Sequence, residues 1–495
     1  MHQKNIRSMY SAVEHNQGFD AVIVVSSSKS QAEYWQERLE ASRGTVTPQK
    51  TRIISVEEDW PGGAGQLLGT LYAWSKANRV VDLNRIISGN GTVAMYHTAG
   101  KGTRMAPLPA AESNNKSAIK LPRMIDIDGS KAALTVLEAV IFQTGIFATS
   151  REGRLCVFWG DQVFIPSNPI DYDGEHHAEI LDIRSEIPAS EDEWSKDWQS
   201  YGLIIPAANG EVLQREKQSW SELREILNKE NLPAATSGGI VLGKSLGCFT
   251  VSSSLLHALV EEFSPELGKG QGKLDTDPHL WMPLTSTYED FTSRGGDGSH
   301  WERINRFRER FKAEDNQELK LFGDKDIGAA TLWWDYGQVQ LYHQNLLKAL
   351  EDSFEGDCIR QFFHLNDHRV KEERRDGLET VNSIVIESHL TGRINNCIAV
   401  GTRADDIDAS DSVLIDSVVS NLKASGALIY KCIHLVNAGL PAGEVVTDTF
   451  LPSHGRIRMR TDLKRDGKED WENPIPGNPC SFAELTELIE GDLKG

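Results

Sequence analysis

The chain has 495 residues, enough for two to four domains at about 150 residues each. Lys and Arg total 52 against 72 Asp and Glu, a net charge of −20. That balance excludes a protein whose main task is to coat nucleic acid, because neutralising a phosphate backbone needs a positive surface. It leaves room for a small anionic ligand held by a few well-placed cations. Apolar residues make up 39%, too many for a disordered chain. No apolar run reaches the roughly 18–20 residues of a membrane span. The expected partners therefore include neither nucleic acid nor membrane.

Met1 to Gln17 contains no apolar h-region, so no secretory signal is predicted there. A plastid or mitochondrial address stays open. Cys156, Cys248, Cys358, Cys397, Cys432 and Cys480 are widely spaced and form no CxxC pair. Zinc ribbons and thioredoxin chemistry need that close pairing, so reduced thiols and a cytoplasmic setting are expected.

In chain order, Phe19 to Val25 is a β-branched run of the kind that forms a strand buried on both faces. Ser26 to Ser28 ends it, and Gln31 to Ala41 reads as a helix. A second strand, Arg52 to Val56, leads through Pro61-Gly62-Gly63-Ala64-Gly65 into a helix carrying Leu67, Leu68, Leu71 and Trp74. A third, Thr92 to Tyr96, ends in His97-Thr98-Ala99-Gly100-Lys101-Gly102-Thr103-Arg104. Strand–helix repetition predicts a mostly parallel sheet with covering helices, and such sheets take ligands beyond the carboxyl ends of their strands. Both glycine-rich segments fall at those ends.

Further on, Leu155 to Trp159 reads as another buried strand ending at Gly160-Asp161. The acidic stretch Asp182 to Asp197 is expected to be a surface excursion, and 265–278 and 286–300 to be long loops. Trp333-Trp334-Asp335-Tyr336-Gly337 precedes an amphipathic helix, Leu341 to Leu350. After about residue 375 come short aliphatic strands at Asn382–Ile386, Asn396–Val400, Asp411–Ile415, Asp416–Val418 and Lys431–Ile433. Such units suggest a β-solenoid, since each strand buries its apolar side chains only by stacking on the next coil. Their spacing reads as irregular. The polar stretch after Leu451, with Pro474, Pro476 and Pro479, is expected to pack on the surface.

The segment from His97 to Pro109 carries the most chemistry. Its glycines would let backbone N–H groups close around a polyphosphate, and Arg104 offers a fork of donors suited to phosphate oxygens. Lys116 and Lys120 follow within Asn114 to Pro122. On spacing alone, a glycine-rich turn with solvated charges remains an equal alternative. Gly238 to Ser245 also satisfies GxxxxGK[ST], the P-loop pattern, but that pattern requires a strand before and a helix after. Pro233 to Ser237 precedes it and the strand-like Leu246 to Val251 follows, so the match reads as accidental. Asp161 and Asp335 stand where strand-end carboxylates can hold Mg2+ against phosphates, or serve as a turn residue and a helix cap.

AGKGTRMAPLP followed by NNKSAIKLP resembles the GxGTRxxPLT…KP signature of sugar-1-phosphate nucleotidyltransferases. FWGDQVF, YGLIIPAANGEVLQREKQ, GKSLGCFTVSSSLL and WWDYGQVQLYHQNLL resemble later landmarks of that family in its order, and the C-terminal strands resemble the left-handed β-helix many members carry. GFDAVIVVSSSKSQAEYWQERLE and DWPGGAGQLLGTLYAW resemble the opening of fucose-1-phosphate guanylyltransferases. Nothing after these segments resembles a sugar-kinase domain. The resemblance implies an α/β, Rossmann-like nucleotidyltransferase domain over 1–355. A left-handed β-helix-like solenoid would follow over 356–455, then a surface-packed tail over 456–495, with a homo-oligomer formed through the C-terminal domain.

The implied substrates are an NTP and a sugar-1-phosphate, with GTP and a fucose-1-phosphate-like sugar favoured and Mg2+ as cofactor. Uridylyl transfer to glucose-1-phosphate is the alternative pair, and a non-catalytic nucleotide sensor on the same fold the alternative class. The resemblance assigns Gly100, Lys101, Gly102 and Thr103 to the triphosphate, and Arg104 to the departing pyrophosphate. Lys116 falls beside the reacting phosphates, Lys217 on the sugar phosphate and Glu216 on the sugar. Asp161 and Asp335 become the metal ligands, and Gly62, Gly63, Gly65, Gln66 and Thr70 approach the base. Ser117, Gln218 and Gln338 depart from the family pattern, and Lys120 competes with Lys116 for the signature role. An acyltransferase would need a catalytic His between coils, and His389 and His434 read as surface or stacking residues.

Overall fold

The computed structural model describes residues 1–170, 174–207, 209–229, 240–270, 281–315 and 319–494. The chain divides into two compact units. The first comprises Met1–Ala99, Thr144–Trp159 and Ile165–Thr331, and the second Gly100–Gln143, Gly160–Phe164 and Leu332–Gly495.

The first unit is built on a nine-stranded mixed sheet. Its strands are β1 (Ala21–Ser26), β2 (Arg52–Glu57), β3 (Val93–His97), β4 (Arg154–Trp159), β5 (His176–Glu186), β6 (Gly202–Pro206), β7 (Val212–Glu216), β8 (Val241–Ser252) and β9 (Lys320–Asp326). The order runs β7-β6-β8-β4-β3-β1-β2, with β5 on β8 and β9 on β5. β2, β1, β3 and β4 are mutually parallel, as the strand–helix alternation predicts. Every residue of β1 is buried, which is what a continuous aliphatic run requires of a strand covered on both faces. The helix Lys29–Ala41 begins where the Ser28 side chain accepts the Gln31 N–H, an N-cap that satisfies one orphan donor. The helix Gly65–Val80 buries Leu67, Leu68, Leu71 and Trp74 against the sheet.

Beyond β4 the ladders to β8 are antiparallel. Asp182, expected at the surface, is fully buried within β5. Its side chain explains Gly243 on the adjacent strand β8, where a Cβ would overlap the Asp182 carboxylate. Gly243, Lys244 and Ser245, the end of the GxxxxGK[ST] match, lie in the middle of β8. Residues 238–239 fall outside the described residues. Lys244 pairs with Asp197 at 2.5 Å and sits over the Trp198 ring, so the segment is a strand rather than a phosphate loop. Within 286–300 the expected loop is largely helical, with helices Tyr288–Ser293 and Gly298–Glu314. In 265–278, Ser264–Lys269 is helical and 271–278 lie outside the described residues.

The second unit contains the glycine turn, a hairpin of Lys120–Ile127 with Ser130–Thr135, and a twelve-stranded coiled sheet. Ile384, Ile398, Val413 and Leu428 stack in parallel register, as do Arg403, Val418 and Ile433. The offset is 14 or 15 residues per coil. Asn396, Gly401, Asp406, Asp411, Asp416, Asn421, Gly426 and Lys431 all have positive φ, one left-handed corner every fifth residue. Asn, Asp and Gly tolerate that conformation best, so the corners have a periodicity that the strand spacing hides. Past Leu451 the chain is more ordered than its composition suggests. Gly455–Asp462 pairs antiparallel with Glu444–Leu451, and the helix Phe482–Lys494 buries Phe482, Leu485 and Ile489 against Ala106 and Ala110.

Candidate functional site

The second unit assembles a charged constellation from four separated stretches of chain. Gly100 and Gly102 have φ of +117° and +64°, conformations that glycine adopts without penalty. At Gly102 there is also no room for a side chain, since a Cβ would lie 2.8 Å from Lys116 Cβ and 3.4 Å from Pro109 Cγ. Glycine there lets the Lys116 segment close onto the turn. Lys101 and Arg104 are exposed. Neither forms an ion pair among the described residues, while Met105 and Leu108 anchor the turn in the interior.

Lys116 Nζ lies 2.9 Å from Asp161 Oδ2, with the side chains 18% and 26% exposed. Asp161 precedes the short strand starting at Gln162, which pairs with Leu332–Asp335. The Asp161 carbonyl accepts the Tyr336 N–H at 3.0 Å, and Trp333 Nε1 donates to Gln162 Oε1 at 2.9 Å. This pairing brings Asp335 alongside Asp161. The Asp335 carboxylate accepts the Gly337 N–H at 2.6 Å, and Asn345 donates to its carbonyl. The position of a Cβ on Gly337 would be 3.0 Å from Asp335 Oδ1, 3.6 Å from Asp161 Oδ2 and 3.8 Å from Arg104 Nη2. Two carboxylates and a guanidinium therefore converge on one small volume above Gly337, with the Lys116 ammonium at its edge.

Burial raises the Asp335 carboxyl above its ordinary value, and the nearby Asp161 charge raises it further. The Gly337 N–H, Arg104 and Lys116 pull it back. Two acidic side chains this close repel each other unless a cation joins them. Oxygen donors of this kind suit a hard divalent ion that keeps open positions for water or phosphate. Among the described residues no group of three or more His, Cys, Asp or Glu could hold a metal, so any ion here would take only two protein carboxylates.

The two candidate signature lysines separate cleanly. Lys120 Nζ is 3.6 Å from Glu112 Oε2, and Lys431 Nζ is 3.2 Å from the same carboxylate. The Tyr430 hydroxyl donates to Glu112 and accepts the Lys120 N–H, while the Tyr342 hydroxyl donates to the Lys120 carbonyl. Lys120 thus belongs to a buried network that ties the coil carrying Tyr430 and Lys431 to the segment behind the glycine turn. Lys116 alone reaches the carboxylate pair. Ser117 is fully buried.

Gly65, Gln66, Glu216 and Lys217 belong to the first unit. Gly62, Gly63 and Gly65 have φ near +80° (77°, 80° and 77°), and a Cβ on Gly62 or Gly63 would meet nothing within 4 Å. Glu58 steadies the loop by accepting the Ala64 N–H at 2.9 Å. Gln66 is half-buried. Thr70 is buried, donating to the Gln66 carbonyl and meeting His97 Nε2 at 3.0 Å, so its hydroxyl is used within the unit. Glu216 is half-buried and accepts from Gln214. Lys217 is exposed on a left-handed residue, φ +48°, whose N–H donates to the Tyr201 carbonyl. Gln218, where the family pattern has Pro, is buried and donates to the Glu216 carbonyl. His389 and His434 are both exposed.

Gly337 was not singled out as a site residue in the sequence, nor was Trp471, whose ring faces the Lys101 ammonium. Gly337 was visible only as the last letter of WWDYG, and the signal was its place two residues after the acid whose carboxylate its N–H binds. Trp471 lies in the polar tail, and no local pattern points to it.

No family model matches the chain, and no curated protein matches it. Among solved structures, one from Bacillus anthracis named as a glucose-1-phosphate thymidylyltransferase, in complex with a sucrose, aligns at 11% identity. The alignment covers 70% of this chain and 98% of that one, with a TM-score of 0.20. A TM-score of 0.20 is too low to relate the two folds.

Proposed function

We propose that the protein is a sugar-1-phosphate nucleotidyltransferase. The observation that supports the reading is the convergence of Arg104, Asp161 and Asp335 around Gly337, with Lys116 bonded to Asp161. These residues come from distant parts of the chain: Arg104 and Lys116 complement phosphate directly, and the two carboxylates would do so only with a divalent cation between. In the proposed reaction an oxygen of the sugar-1-phosphate attacks the α-phosphorus in line. The bond from that phosphorus to the bridging oxygen breaks, and pyrophosphate leaves with the electron pair.

The residues supply positioning and charge neutralisation, the two contributions that dominate such transfers. The backbone of Gly100 to Thr103, open at Gly100, and the Lys101 ammonium take the β- and γ-phosphates. Arg104 holds the leaving pyrophosphate through paired donors, and Lys116 turns from Asp161 to the reacting phosphate. Asp161 and Asp335 are the groups that would hold Mg2+, which when bound neutralises phosphate charge. GTP and a fucose-1-phosphate-like sugar are the favoured pair, on the resemblance of the first hundred residues to guanylyltransferases of that kind.

The test is a matrix of the four NTPs against common hexose-1-phosphates with Mg2+, read by pyrophosphate release. The expected result is turnover with GTP and fucose-1-phosphate above the other pairs. Turnover with a different pair would overturn the specificity, and nucleotide binding without turnover on any pair would favour a nucleotide sensor.

A further inference from the structure

The polar segment after Asp462 lies directly on the glycine turn. A Cβ on Gly467 would overlap the Thr103 carbonyl oxygen and stand 3.2 Å from Ala106 Cβ. Four residues later the Trp471 ring carries the Lys101 ammonium over its face, 5.9 Å from the centroid. The ring is held from behind. Trp471 packs on Phe482 at 6.5 Å between centroids, and its carbonyl accepts the Ala483 N–H at 3.0 Å. The final helix also holds the chain that follows the glycine turn, with Asn114 Nδ2 donating to the Thr486 carbonyl at 3.0 Å. Of the two acids flanking Trp471 in sequence, Asp470 is paired with Arg465 at 2.6 Å and Glu472 is exposed.

An aromatic face attracts an ammonium without accepting its protons in hydrogen bonds. A carboxylate in the same place would neutralise Lys101 and compete with any phosphate. A ring restricts the side chain yet leaves its charge, and the N–H donors that point away from the ring, for an incoming anion, so less rotamer freedom is lost on binding.

We propose that Trp471 is a positioning residue for the anion site: its face holds the Lys101 ammonium ready over the glycine turn, and Gly467 lets the C-terminal segment seat there. This rests on the nucleotidyltransferase reading, in which Lys101 binds the triphosphate.

The test is calorimetric titration of pyrophosphate with Mg2+ into the full chain and into Trp471→Leu, Trp471→Phe, Lys101→Met and the Trp471→Leu/Lys101→Met double variant. Trp471→Leu is expected to weaken binding about 3- to 5-fold. Trp471→Phe, which keeps a ring face, should recover most of that loss. In the Lys101→Met background, Trp471→Leu should add nothing. Unchanged or tighter binding in Trp471→Leu would overturn the proposal, as would an equal loss with Lys101 already removed. If the unmodified protein binds no pyrophosphate, the anion-site reading itself falls. If it binds and only the Trp471 pattern is missing, the positioning role alone falls.

Discussion

Replacing Lys116 by Gln should separate the reacting lysine from its neighbour in sequence. The Lys116 ammonium is 2.9 Å from Asp161 and its side chain is 18% exposed, so the pair is only partly desolvated. Its loss should cost about 1 kcal/mol of stability. Its effect on an anion should be larger, because a charge-assisted hydrogen bond to phosphate is worth about 1.5–3 kcal/mol, or about 10- to 100-fold in Kd. Lys120→Gln has the reverse profile. Lys120 faces Glu112, which is also held by Lys431 and the Tyr430 hydroxyl. A loss of about 1–2 kcal/mol in stability is expected, with pyrophosphate affinity within about twofold. Urea denaturation and calorimetric titration of pyrophosphate with Mg2+, run on both variants, read the two quantities independently. If Lys120→Gln weakened pyrophosphate as much as Lys116→Gln, the assignment of the signature lysine would be wrong.

Gly337→Ala would put a methyl among Asp335, Asp161 and Arg104. It should weaken pyrophosphate binding at least about 10-fold while leaving the circular dichroism spectrum unchanged; undiminished binding would count against the convergence. Tyr430→Phe removes a donor to Glu112 and an acceptor for the Lys120 N–H. It should lower unfolding stability by about 1–3 kcal/mol, seen as a lower urea midpoint at constant slope. Burial pushes the His97 imidazole down to about 4, against about 6.5 in an unfolded chain. The unfolded state therefore binds the extra proton between those values. Stability contributed by neutral His97 is full above pH 6.5 and falls by up to about 3 kcal/mol as pH drops toward 4. In His97→Asn that part of the slope should vanish, and parallel pH profiles for the two proteins would refute it.

The parallel front of the first unit was legible because β1 and β2 are β-branched runs, β3 is an unbroken buried run, and each is followed by turn residues. The glycine turn and Asp161 were singled out because they follow strands of an open α/β sheet, where ligands are placed, whereas Asp335 ends a strand of a separate two-stranded sheet and was singled out by its place before a helix. The second half of the sheet was not. β8 contains Gly243, Lys244 and Ser245, which match a phosphate-loop pattern only by accident, and a side chain at 243 is excluded by the buried Asp182 and by Ile204 on other strands. Long-range steric demands of that kind leave no local mark. The solenoid could have been read more sharply from its corners, since Asn396 to Lys431 repeat a left-handed residue every five positions. The choice between Lys116 and Lys120 depended on Glu112 and Tyr430, more than 300 residues apart, and no spacing rule connects them. The tail looked superficial because its apolar contacts, Phe482, Leu485 and Ile489 on Ala106 and Ala110, are spread thinly among polar residues.

The central claim is that Asp161 and Asp335 act as one divalent-ion site beside a phosphate cradle. Titrating Mn2+ into the protein with GTP present, and following the free-ion signal by electron paramagnetic resonance, tests it without requiring turnover. One tightly held ion per chain is predicted, with affinity reduced at least about 10-fold in both Asp161→Asn and Asp335→Asn. Mn2+ binding of unaltered stoichiometry and strength in both variants would contradict it.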